Sequence, residues 1–133
     1  MAEATRVFVY GTLRRGGSNA HRMAGAKFLG SGAVRGRLYR VSWYPGVVLD
    51  AAGDGSVRGD LWEIPAEILP ALDAFEGVPP GETEGAEYRR VRVIVEASAS
   101  EGPAREAWMW EWIGGVEGLE EMPGGDWLDA GGP

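Results

Sequence analysis

The chain has 133 residues, 44% of them apolar, with no cysteine, one histidine and a formal net charge of −7 at neutral pH. That length supports one domain with one sizeable core. The missing cysteines exclude disulfides, thiolate metal sites and a cysteine nucleophile, and the acidic balance argues against a nucleic-acid partner, whose affinity rests largely on phosphate neutralisation.

No apolar run reaches the length of a membrane span. Met1 to Arg6 lacks the basic-then-apolar order of a signal peptide. The expectation is a cytoplasmic protein without a membrane partner, a monomer, forming a single domain over 1–133 with 1–5 and 129–133 frayed.

A first strand is expected from Arg6 to Leu13. Val7-Phe8-Val9-Tyr10 is an unbroken apolar run, which marks a strand covered on both faces and so near the centre of the fold. Gly11-Thr12-Leu13 ends it abruptly. Gly11 lets the backbone take unusual angles or lets a ligand approach closely. Successive free N–H groups at residues 11–13 form a small anion-binding concavity; a tight turn without a ligand fits the same residues. Arg14 and Arg15 open a polar loop to His21, where solvated arginines are the commoner outcome and help to a carboxylate the rarer one. His21, alone, makes no metal site without carboxylates at suitable spacing. It reads as a surface residue in a short helical segment, Ala20 to Leu29.

A strand follows from Ala33 to Val41, then a turn at Tyr44-Pro45-Gly46 and a short strand, Val47 to Leu49. Asp54-Gly55 is a hairpin signal that predicts Val57 to Ile64 pairing back as the next strand. Gly59 inside that strand points to a bulge or a close backbone approach. Ile68, Leu69, Leu72 and Phe75 fall on one face of a helix predicted over Pro65 to Phe75, with a break or late start at Pro70 and Gly77 as the stop. Val78 to Gly85 reads as a mobile flap. Tyr88 to Glu96 alternates, with Val91, Val93 and Val95 on one face and Tyr88, Arg90, Arg92 and Ile94 on the other. Ala104 to Trp112 places Trp108, Trp110 and Trp112 on one face, as core. The Gly-rich tail is expected to dock through Trp127 and Leu128. This succession fits a small α+β domain on a mixed, barrel-like sheet with short helices.

Glu76 ends the predicted helix, where the helix dipole disfavours an anion, and it follows Phe75. Both effects raise its pKa and would suit general acid–base work; a solvated glutamate at a helix end is the competing reading. Asp73, one turn earlier, is the rival carboxylate, and a structural role hydrogen-bonded to nearby backbone suits it better. No Gly-x-Ser-x-Gly elbow or glycine–lysine phosphate loop is present.

Tyr10-Gly11-Thr12-Leu13 and Leu72-Asp73-Ala74-Phe75-Glu76-Gly77, taken with Tyr44-Pro45-Gly46, Val57 to Trp62, Glu87-Tyr88-Arg89-Arg90 and Ala107 to Trp110, resemble the gamma-glutamylcyclotransferase-like family. The resemblance runs from Val7 to Trp127. It implies the same barrel-like α+β architecture. It also implies an intramolecular reaction, in which the α-amine of a gamma-glutamyl group attacks its own γ-carbonyl, giving 5-oxoproline and a free amine or amino acid. By that resemblance Glu76 is the catalytic acid–base. Tyr10, Gly11, Thr12 and Leu13 grip the substrate, and Tyr88 donates a hydrogen bond to it. The resemblance implies neither metal nor cofactor, and a small gamma-glutamyl substrate as the partner. Two other readings fit the same pocket: a non-catalytic binding module for gamma-glutamyl or carboxylate ligands, and an amide hydrolase that uses water.

Overall fold

The computed structural model describes residues 5–17, 19–50, 52–97 and 105–128. In chain order it runs β1 (Thr5–Val9), β2 (Lys27–Arg40), β3 (Pro45–Leu49), β4 (Ser56–Ile64), α1 (Leu69–Phe75), β5 (Tyr88–Ala97), β6 (Arg105–Trp112) and β7 (Glu120–Glu121). Two single turns of 3-10 helix, Ala20–Met23 and Ala66–Ile68, precede β2 and α1.

The apolar run at the start sits where its pattern requires. β1 is flanked by β4, antiparallel, and by β6, parallel, and Val7 and Phe8 have no exposed surface. The order β2-β4-β1-β6-β5 closes on itself, because Gly32 and Ala33 of β2 pair with Ala97 and Glu96 of β5. The result is a mixed five-stranded barrel. Alternation along each strand divides the core in two. All five strands send residues into the barrel interior, among them Phe8, Val34, Leu61, Val93 and Met109, and Trp127 from the tail is fully buried with them. Val7, Val9, Trp62, Trp110 and Trp112 point the other way, into a second cluster closed over by Leu72 of α1 and by Val78.

Several boundaries differ from the sequence reading, each for a local reason. β1 stops at Val9, and Tyr10 to Leu13 form the loop beyond it. The helical segment expected over Ala20 to Leu29 is a single 3-10 turn, Ala20–Met23, and Lys27 already belongs to β2, which runs 14 residues. The turn predicted at Tyr44 to Gly46 lies one step earlier: the N–H groups of Val41 and Ser42 donate to the Tyr44 carbonyl, and Pro45 begins β3. The Asp54-Gly55 turn does not make a hairpin. β3 pairs with the C-terminal half of β2 and β4 with its N-terminal half. Both ends of the connection bond to β2, through Asp50 N–H to Arg35 O and Gly36 N–H to Gly55 O. α1 starts at Leu69 with Pro70 in its first turn, where a missing N–H costs nothing, so the late start is as expected. Tyr88, predicted on the arginine face of β5, is buried there in the second core cluster. The segment after Val78 is pinned: Val78 N–H donates to Asp73 O, Arg90 N–H to Thr83 O, and Gly85 N–H to Tyr88 O. The expectations for 1–4, 129–133 and Ala104 lie outside the described residues.

Candidate active site

The end of β1, the start of β3, the end of α1 and the start of β5 meet around one cavity of about 260 Å³. All six site residues read from the sequence line it: Tyr10, Gly11, Thr12, Leu13, Glu76 and Tyr88. They are far apart in the chain, and the barrel brings them together.

One wall is backbone. The carbonyls of Gly11 and Thr12 accept from the amides of Arg14 and Asn19, at 3.1 and 2.8 Å. The amides of Gly11, Thr12 and Leu13 themselves have no acceptor among the described residues. Three consecutive N–H groups of this kind have the chemistry of a small anion-binding concavity. The neighbouring arginines do not supply the charge. Arg14 is largely buried and pairs with Asp126 at 2.8 Å and Asp60 at 3.5 Å. Arg15 lies over the Phe28 ring at 3.6 Å, and its N–H donates to Asp60. Arg14 is therefore a structural ion pair, not the solvated side chain expected. Among the described residues no lysine, arginine or histidine lines the cavity.

The opposite wall carries Glu76. It caps α1, its N–H bonded to Leu72 O at 3.0 Å, and Gly77 then turns the chain at φ +81°, a conformation that favours glycine. Its carboxyl is raised from 4.5 to about 8, first by burial, then by the charges of Asp73 and Glu87. The direction matches the sequence reading, while the cause shifts: a seven-residue helix contributes little dipole, and desolvation leads. Asp73 is 8% exposed and its carboxylate is fully engaged, accepting from Trp110 Nε1 at 2.9 Å and Arg90 Nε at 2.9 Å. It is structural, as expected, although its partners are side chains and not backbone.

Both tyrosine hydroxyls of the cavity find backbone acceptors. Tyr88 donates its hydroxyl proton to the Pro45 carbonyl at 2.6 Å, and Tyr10 donates to the Trp110 carbonyl at 2.7 Å. Burial raises both pKa values and Glu76 adds to the effect, so both stay neutral phenols. In this arrangement Tyr88 presents its ring and hydroxyl oxygen to the cavity.

The sequence reading missed the rim. Trp43, Tyr44, Phe75, Glu87 and Trp110 also line the cavity, and Tyr44 Oη donates to Glu87 at 2.9 Å. Tyr44 and Glu87 stood in recognisable stretches, but a turn and a polar loop gave no sign that they would face each other across 43 residues. No group of three or more histidine, cysteine, aspartate or glutamate side chains among the described residues is arranged to hold a metal ion.

The family model for gamma-glutamyl cyclotransferase, AIG2-like proteins matches residues 7–129. A gamma-glutamylcyclotransferase family protein of Escherichia coli is 36% identical over 125 residues, which is 93% of this chain and 96% of that one. The gamma-glutamylaminecyclotransferase of Bos taurus is 35% identical over 107 residues, covering 73% of this chain and 60% of its own. The crystal structure of an uncharacterized Pyrococcus horikoshii protein superposes with a TM-score of 0.70 at 28% identity, covering 95% of this chain and 92% of that one.

Proposed function

We propose that this chain, which belongs to the gamma-glutamyl cyclotransferase, AIG2-like family, cyclises a gamma-glutamyl group to 5-oxoproline and releases the attached amine, with Glu76 as the general acid–base. One observation carries the reading: a carboxyl poised near pH 8 shares a cavity with three free amides and no basic side chain among the described residues.

The amides of residues 11–13 hold the substrate α-carboxylate. The α-ammonium is then directed at Glu76. Its positive charge favours the ionised carboxylate, so binding itself draws the general base into its working form. Glu76 takes a proton from the ammonium. The freed amine attacks the γ-carbonyl carbon, and the new C–N bond closes a five-membered ring. Glu76 hands that proton to the departing nitrogen as the old C–N bond breaks, then takes the second proton that the ring nitrogen sheds in becoming an amide and passes it to the released amine, which leaves as an ammonium. Atoms and charge balance within the substrate, and the carboxyl ends as it began. Folding the substrate so that amine faces carbonyl supplies about 7–11 kcal/mol in favourable intramolecular systems. Tyr10, Tyr88 and Trp110 supply the apolar walls that hold that folded shape.

The test is 5-oxoproline release from a panel of gamma-glutamyl amides and dipeptides, each beside its α-N-acetyl counterpart. The expected result is release from at least one free-amine substrate and no cleavage of any acetylated one. Cleavage of an acetylated substrate would mean attack by water and an amide hydrolase. Binding of glutamate or 5-oxoproline without turnover of any panel member would leave a binding module.

A further inference from the structure

We infer that Asn19 is a positioning residue for substrate binding: it locks the turn at residues 11–13 with its amides free, and through Arg22 it ties that turn to the end of α1 that carries Glu76. The inference rests on the cyclotransferase reading of the cavity, and neither Asn19 nor Arg22 lines it.

The lock follows from peptide geometry. Each peptide in the turn is trans, so its carbonyl and the next amide point in opposite directions. The Gly11 carbonyl is bonded to Arg14 N–H, which turns the Thr12 amide away from the loop. The Thr12 carbonyl is bonded to Asn19 N–H, which does the same for Leu13. Asn19 adds a second hold: its Nδ2 donates to Thr12 Oγ1 at 3.1 Å. Thr12 is only 6% exposed, so the hydroxyl has little access to water as a substitute partner. Gly17 passes so near that a Cβ on it would collide with the Thr12 carbonyl, and the loop closes tightly over the lock.

The other face of Asn19 reaches the acid–base side. Arg22 Nε donates to Asn19 Oδ1 at 3.2 Å, and the same guanidinium lies 4.3 Å over the Phe75 ring. Phe75 directly precedes Glu76 and lines the cavity with it. One asparagine thus joins the anion grip to the residue beside the carboxyl. The lock holds the turn ordered before a ligand arrives, so a loosened lock makes binding bear the cost of ordering it and weakens affinity.

The test is a double-mutant cycle on Asn19→Ala and Thr12→Val, with kcat and KM for 5-oxoproline release and the Kd of 5-oxoproline by calorimetry. Asn19→Ala keeps the backbone bond and removes the side-chain one. It is expected to raise KM and the 5-oxoproline Kd about three- to tenfold, the worth of one such hydrogen bond, with the loss in kcat/KM carried by KM. In the Thr12→Val background the same change is expected to do less than about twofold, because the partner hydroxyl is gone. Asn19→Asp preserves size and the acceptor for Arg22, and serves if the alanine variant fails to fold. It places a negative charge beside the anion site and is expected to weaken binding at least as much. Additive effects in the cycle, or a fall in kcat with KM and Kd unchanged, would overturn the positioning role. If wild type releases 5-oxoproline while both Asn19 variants keep its KM and Kd, this inference alone fails. If wild type neither releases nor binds 5-oxoproline, the cyclotransferase reading fails and takes the inference with it.

Discussion

A carboxyl whose pKa rises on folding, as that of Glu76 does from 4.5 to about 8, holds its proton more tightly in the folded chain than in the unfolded one. Between those values the folded state binds more protons, so stability falls as pH rises through that window. The loss is complete above pH 8, with a ceiling of about 5 kcal/mol. Glu76→Gln cannot ionise and escapes it. Its thermal or urea midpoint is expected to match wild type near pH 4 and to exceed it by about 1 kcal/mol or more at pH 9; equal midpoints at both pH values would mean that the carboxyl is not desolvated. The sequence could indicate this residue because a glutamate directly after Phe75 at a helix end is an unusual place for a charge. It could not indicate Glu87, which stands in a polar loop and matters because the fold sets it against Tyr44 and within reach of the Glu76 charge. Tyr88 shows the opposite limit. Its position was legible, but its hydrogen bond was not, since the Pro45 carbonyl that takes its proton lies 43 residues away.

Elements were legible where their own residues fix them, and less so where a neighbour does. The β1 run announces burial on both faces because no polar residue interrupts it. α1 announces its late start because Pro70 has no amide to give. The hairpin read at Asp54-Gly55 failed because turn chemistry marks a reversal and not a partner; β2, at 14 residues, is long enough to take β3 on one half and β4 on the other. A glycine inside a strand points to a bulge or a close backbone approach, and at Gly59 it is close approach: an added Cβ would strike the Val9 carbonyl and the Phe8 ring. Neither can yield, since both belong to the central strand. Gly59→Ala is expected to cost about 1–3 kcal/mol, the usual penalty for overpacking a core, read as a lower urea midpoint with unchanged slope. A midpoint equal to wild type would show that β1 and β4 are not pressed together as described.

At the scale of the whole molecule, the cavity exists because the barrel closes. β2 meets β5, and Trp127 is fully buried within the barrel core. Closure brings the loop beyond β1, the end of α1, Pro45 and Tyr88 to one cavity. The α+β class and the mixed barrel-like sheet were legible in the succession of strands and in the family resemblance. The cavity itself was not, because its walls come from four segments and no single stretch encodes their meeting. In this account the arrangement has one purpose, to present a folded gamma-glutamyl group to one desolvated carboxyl. The most direct measurement is the rate of 5-oxoproline release by wild type and by Glu76→Gln on the best gamma-glutamyl substrate, at matched folded protein. The expected result is a fall of at least about a hundredfold, the low end for loss of a general acid–base. A variant that releases 5-oxoproline as fast as wild type would contradict it.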